Sequence, residues 1–179
     1  IEDRADGRFS HKQDPHNTLI GVPRQRDKNK FELPLNIDER CELMGDHQTG
    51  QHLQGMVLVE AFRQSFLAVT EAYFSVESWD KTYFVINEMT STFESFVFPL
   101  PAHIDYQILD RDVNERRARY KVEMAAIQNE VECAKTRINF TAYEAGVVAA
   151  KEAKLANVIT QQIIQGFQLP VTQNVVATS

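Results

Sequence analysis

The sequence predicts an α+β domain in which an antiparallel sheet is laid against one long apolar helix. Three observations point there. From Met56 to Phe74, apolar residues recur at three- and four-residue spacing. From Tyr83 to Tyr143 the period shortens to two over successive runs. From Ala145 to Gln165 an Ala- and Lys-rich stretch returns to the helical period. The 179 residues suit one domain with a helical appendage. They divide into a polar N-terminal arm (1–16), the principal domain (17–144) and a C-terminal helix and tail (145–179).

The arm is rich in Asp, Arg and His and reads as contributing little to a core. Leu19 to Val22 reads as a short strand ended by Pro23, and Gln25 to Lys30 as a charged turn. Phe31, Leu33, Leu35 and Ile37 alternate with Glu32, Pro34, Asn36 and Asp38, the pattern of a strand with one buried face. Pro34 cannot donate to a ladder and places this strand at an edge or a bulge. In the helix, Val59, Phe62, Phe66, Val69 and Tyr73 form one stripe. Leu58 and Leu67 widen it, so the helix is expected to be covered on most sides. Strands are expected at Tyr83 to Asn87, Phe93 to Phe98, His103 to Leu109, Ala118 to Ala126 and Glu130 to Tyr143. Polar turns are expected at Asp110 to Asn114 and at Gln128-Asn129. The C-terminal helix carries Leu155, Val158, Ile159 and Ile163 on one side, a face suited to the domain or to a partner subunit. After Gly166 the tail is expected to be loose, and no internal repeat is visible.

A composition of 43% hydrophobic and 25% charged residues is that of an ordinary globule. The net charge of −6 and the lack of a Lys/Arg stripe argue against nucleic-acid binding. The densest basic run, Arg116-Arg117-Ala118-Arg119, reads as a solvated strand end; its functional alternative is a dock for an acidic carrier protein or a phosphate. Cys41 and Cys133 make neither a disulfide framework nor a CxxC pair, which points to a reducing, cytoplasmic setting. No run approaches the ~18 apolar residues of a membrane span, and the first thirty residues hold no signal-peptide core. A start at Ile1 is what a trimmed or excised chain would show.

Chemistry concentrates between Gly45 and Gln64. Asp46, His47 and His52 sit in a polar loop, and Gly55 and Met56 open the apolar helix. Glu60, Arg63 and Gln64 follow at three- and four-residue spacing, so they are neighbours on its surface. A helix N-terminus presents unpaired N–H groups and partial positive charge, which suits a carbonyl or an anion. Burying an unpaired carboxylate is costly, so Glu60 is expected to work, with a loop histidine, in acid–base chemistry. The bland alternative is a Glu60–Arg63 surface pair. His47 and His52 make no recognised metal spacing with Asp46 or Glu60, so no metal is expected. There is no nucleophile elbow, P-loop or dinucleotide fingerprint, and hence no cofactor expectation. His16 reads as solvated and His103 as structural.

The run Gly55-Met56-Val57-Leu58-Val59-Glu60-Ala61-Phe62-Arg63-Gln64, preceded by Asp46-His47 and His52, resembles the central-helix signature of the A-factor biosynthesis (AfsA-type) hot-dog family. His11-Lys12 and Asn17-Thr18-Leu19-Ile20-Gly21 resemble the opening block of the same domain. The glycine-to-acid spacing is more distantly similar to that of β-hydroxyacyl-carrier-protein dehydratases, although His47 to Glu60 is one residue shorter. The resemblance implies a hot-dog fold, a sheet wrapped around the central helix. It also implies an acyl chain in an apolar tunnel, a thioester carbonyl at Gly55 and Met56, and a homodimer. Phe62, Phe66, Val69 and Tyr73, with Phe96 and Phe98, would line that tunnel. Glu60 would be the base, His47 or His52 (with Asp46 orienting the former) its helper, and Arg63, Gln64 and His11 substrate contacts. The implied reaction transfers a β-ketoacyl group from an acyl carrier protein to a hydroxyl acceptor, dihydroxyacetone phosphate in AfsA-type proteins. Such proteins commonly hold two hot-dog units, and this sequence has one. Hydrolysis or dehydration of a carrier-protein or CoA thioester, or acyl binding without catalysis, are the alternatives.

Overall fold

The computed structural model describes residues 4–45 and 50–166. Two short helical pieces open the chain, α1 (Gly7–Ser10) and a 3-10 turn at Pro15–Asn17. The strand pair β1 (Arg24–Asp27) and β2 (Lys30–Pro34) follows. Next come α2 (Glu42–Gly45) and the long helix α3 (Gly55–Tyr73). Then come β3 (Thr82–Phe93), β4 (His103–Asn114), β5 (Arg117–Gln128), β6 (Val131–Glu144) and α4 (Ala145–Gly166). All six strands join one antiparallel sheet in the order β1-β2-β4-β5-β6-β3. This is the α+β, hot-dog arrangement expected: a sheet curled around a central helix, with a further helix at the end.

The alternation read in β5 is what seats the helix. Ala118, Tyr120, Val122 and Met124 face inward and are buried, while Arg119 and Lys121 between them are exposed. Leu58, Phe62, Phe66 and Val69 of α3 close onto that inner face, with Ile138 and Phe140 of β6. Phe66 stacks on Phe140, and Phe140 on Tyr120, with centroids 4.4 and 4.9 Å apart. Removing a side chain as large as Phe62 from such packing costs about 3–5 kcal/mol.

Several expectations change. The arm is part of the core: Ala5 and Ser10 are buried, and Phe9 packs against the apolar cluster. Residues 19–22 form isolated bridges, Ile20 to Leu35 and Gly21 to Arg4, in place of a strand. The charged run at 25–30 is β1 with its tight turn, because pairing to β2 satisfies its backbone. Phe93 to Phe98 is not a strand. β3 ends at Phe93, and Phe96 and Phe98 lie exposed in a loop. Residues 110–114 continue β4, and its turn moves to 115–116, where Asn114 accepts hydrogen bonds from the backbone N–H groups of Arg116 and Arg117. The β5–β6 turn sits one residue later than expected, at Asn129-Glu130, both with positive φ as a two-residue hairpin requires. His16 is half-buried and bonds Asp38 at 3.0 Å, and it is not simply solvated.

Candidate functional site

Two regions of α3 carry the polar chemistry. At its N-terminus Gln54 makes no side-chain cap hydrogen bond; the Val57 N–H bonds the Gln54 carbonyl at 3.0 Å, and the Gly55 and Met56 N–H groups have no partner among the described residues. Gly55 is there for space: a Cβ would lie 3.1 Å from the ring of Phe93 at the end of β3. Met56, Phe93 and Phe96 are exposed around this end, and the His52 ring stacks on Phe96 at 4.5 Å. The backbone joins the two segments, Leu53 N–H donating to the Val97 carbonyl at 2.7 Å. Asp46 and His47 lie outside the described residues.

The second region begins one turn further along. Glu60 accepts from Arg63 Nε at 2.7 Å and Nη2 at 2.9 Å, from Gln64 Nε2 at 3.0 Å, and pairs with Lys12 Nζ at 2.9 Å. Burial pushes its carboxyl pKa up, but the hydrogen bonds from Arg63, Gln64 and Lys12 outweigh it and bring the value down to about 2. Glu60 is therefore a firmly ionised anchor that organises two cations. A base of that pKa is a weak one. Gln64 is fully buried, accepting from Leu19 N–H and donating to the Asn17 carbonyl, each at 2.8 Å. These bonds fasten α3 to the segment that follows the arm and take up the amide that was expected to meet substrate.

Arg63 opens onto a cleft of about 290 Å³ between α3 and β3. Its floor is Phe66, Leu67, Phe84 and Ile86, and His11, Arg63 and Lys81 stand at its rim. His11, Lys81 and Thr82 are shared with a second cleft, of about 790 Å³, that runs under the arm past Trp79. The His11 ring lies edge-on to Phe84, centroids 5.7 Å apart, and its Nε2 is 3.6 Å from Glu71 Oε1. The structure thus gathers Glu60, Arg63, Gln64 and His11, adds Lys12, and sets Gly55, Met56 and His52 apart at the helix end. The tunnel residues divide similarly. Phe62 and Val69 are closed into the core, Phe66 lines the small cleft, and Phe96 and Phe98 face outward.

Sequence reasoning assigned no role to Glu71, Lys81, Phe84 or Ile86. Glu71 had a signal: Glu60, Gln64, Leu67 and Glu71 follow one another at three- and four-residue steps along one helix face. Lys81 carried no pattern, since only the fold brings the start of β3 beside the arm. Among the described residues one group has metal-ligand geometry, Glu32, His103 and Asp105, with ligand atoms within 4.8 Å of one another. Arg26 already binds both Glu32 oxygens, at 2.6 and 3.2 Å, so this is a charge-paired surface patch. No helix among the described residues is long and apolar enough to cross a membrane.

The family model described as the A-factor biosynthesis hotdog domain matches residues 2–144. No curated protein sequence matches the chain. Among solved structures, the fold is similar to a mutant thioesterase from Pseudomonas aeruginosa, at 13% identity and TM-score 0.52, covering 75% of this chain and 88% of the other. It is also similar to a thioesterase from Haemophilus influenzae, at 12% identity and TM-score 0.50, covering 72% and 80%. At such identities the likeness is one of fold.

Proposed function

The chain belongs to the A-factor biosynthesis hotdog domain family, and from that premise we propose that it transfers an acyl group from a carrier-protein or CoA thioester to a hydroxyl acceptor. We further propose that its site is completed by a second copy of the chain. The observation that carries the reading is the pairing of an open helix N-terminus with a separate cationic cleft on the same exposed sheet edge. β3 is a terminal strand with one unpaired side. It runs antiparallel to α3, since Gly55 abuts Phe93 while Phe66 lies 6.1 Å from Phe84. Within one chain the helix N-terminus is about 16 Å, eleven residues of helix, from Phe66. Antiparallel pairing of two β3 strands across a two-fold brings the Phe93 end of each beside the Thr82 end of the other. The partner's Gly55 and Met56 would then face this chain's His11, Arg63 and Lys81.

In this arrangement the partner's open N–H groups hold the thioester oxygen, and the acyl chain lies on Phe66, Leu67, Phe84 and Ile86. Arg63 and Lys12, fixed by Glu60, hold an anionic group of donor or acceptor. His52 stands on the helix-N-terminal side as a proton carrier for the leaving thiol, and His47 with Asp46, just before it in sequence, are further candidates for that role. The run Arg116-Arg117-Ala118-Arg119 is a weaker dock for an acidic carrier protein than the sequence suggests, because Asp112 stands opposite Arg119 across the ladder.

The test is intact-mass analysis of an acyl carrier protein charged with a β-ketoacyl group, with and without dihydroxyacetone phosphate. Loss of the acyl group only with the acceptor is expected. Loss without it assigns hydrolysis, a shift of one water assigns dehydration, and no change assigns acyl binding. Sedimentation at micromolar concentration should show a homodimer, and a monomer contradicts the shared site.

A further inference from the structure

We propose that His11 is the proton acceptor for the attacking hydroxyl and that Glu71 is its positioning residue. This rests on the acyl-transfer reading above and assigns the base within that same site. Three observations meet at His11. It stands where the two clefts join, so both the acyl floor and the larger space under the arm reach it. Its backbone is left-handed, with φ 57, an uncommon conformation for a residue with a side chain and one that persists where surrounding structure enforces it. Its ring is held from two sides, edge-on by Phe84 at 5.7 Å and through Nε2 by Glu71 at 3.6 Å.

Glu71 Oε1 stands 3.6 Å from Nε2, longer than a hydrogen bond, and its attraction favours the proton on that side of the ring and the lone pair on Nδ1. Among the described residues Nδ1 has no hydrogen-bond partner, and 35% of the side chain is exposed. The charged and polar groups lining the two clefts with the ring are Glu71 and Arg63 from α3, Ser75, Asp80 and Lys81 between α3 and β3, Thr82 and Tyr83 of β3, and Lys12 and Gln13 from its own segment. Glu60, the other acid on this face, accepts from Lys12, Arg63 and Gln64, three of the four contacts falling on Oε1, and these bonds make it a weak base. Its task is to hold the cations, and the base is therefore sought elsewhere.

The step balances without a further reactant. The acceptor O–H proton passes to His11 Nδ1 as the oxygen bonds to the thioester carbonyl carbon. The tetrahedral intermediate then breaks its C–S bond, and the leaving thiolate takes a proton back, from His11 directly or through a carrier on the partner's helix end. An ester and a free thiol result, and His11 returns to its starting form.

Two measurements on the full chain decide it. The first is nitrogen-15 NMR of the imidazoles, assigned through His11→Asn. In the wild-type protein the neutral His11 ring is expected as the Nε2–H tautomer, and Glu71→Gln, which keeps size, should lose that preference. The same tautomer mixture in both proteins overturns the positioning role, whether or not turnover is seen. The second is the transfer assay across pH. His11→Ala should lose roughly 10²–10⁴-fold in kcat, with added imidazole restoring part of it. Glu71→Gln should lower kcat with little change in KM. A wild-type protein with no turnover overturns the acyl-transfer reading and the proton transfer with it. Wild-type turnover that survives in His11→Ala overturns this inference alone.

Discussion

The two ends of one helix are built to different standards. From Glu60 to Thr70, α3 is almost entirely covered, and its polar side chains at Glu60, Arg63 and Gln64 are bonded to one another or to the arm. At Gly55 and Met56 no side chain among the described residues caps the same helix, and Met56, Phe93 and Phe96 are exposed around it. The open N–H groups and the apolar collar suit a ligand or a second subunit. The covered half is a platform that holds Arg63 and Lys12 in place.

If that contrast is real, substitutions should separate stability from assembly and activity. Phe62→Ala, in the covered half, is expected to cost about 3–5 kcal/mol in denaturant unfolding; a cost below ~1 kcal/mol would mean the half is loosely packed. Glu60→Gln should cost about 2–3 kcal/mol, because Lys12 and Arg63 lose their counter-charge. The pH dependence sharpens this. The Glu60 pKa is lowered in the folded chain, to about 2. Its contribution is therefore complete above the unfolded carboxyl value and is lost as pH falls towards 2. The wild-type protein should show that loss between about pH 5 and 2, and Glu60→Gln should lack this component of it. Ile86→Lys, on the open edge, should change unfolding of the isolated chain by less than ~0.5 kcal/mol. It should nevertheless shift sedimentation towards monomer, and an unchanged dimer would move the interface away from β3. Smallest of all, Tyr106→Phe should change stability by less than ~0.5 kcal/mol, since among the described residues the buried Tyr106 hydroxyl meets at most the Thr70 hydroxyl in weak geometry.

The contrast also shows what the sequence made legible. The helix, β5 and β6 were readable because their apolar periods of 3.6 and 2 are imposed by burial on one face. Glu60 and Arg63 stood out because charge is foreign to so apolar a helix. β3 was read as ending at Asn87 because an edge strand, exposed on much of both faces, need not alternate. The cleft was hidden for a different reason. Ordinary residues line it, drawn from the arm, α3 and the start of β3, and His11, Glu71 and Lys81 meet only after the sheet closes. Burial gave Gln64 its role as a fastener, and nothing in its spacing distinguished that from a substrate contact.

The claim on which the rest depends is that one chain's helix end serves another chain's cleft, and subunit complementation tests it directly. Met56→Pro removes a first-turn N–H where proline is tolerated, and Arg63→Met removes a cation from the cleft. Each variant alone should be nearly inactive in the acyl-transfer assay. When the two are unfolded together and refolded, half of the dimers are mixed, and each mixed dimer holds one site with a native helix end and a native cleft. Activity should return to about a quarter of wild type, the statistical value for a two-fold dimer. If refolding demonstrably mixes the subunits and no activity returns, every site lies within a single chain, and the shared arrangement is wrong.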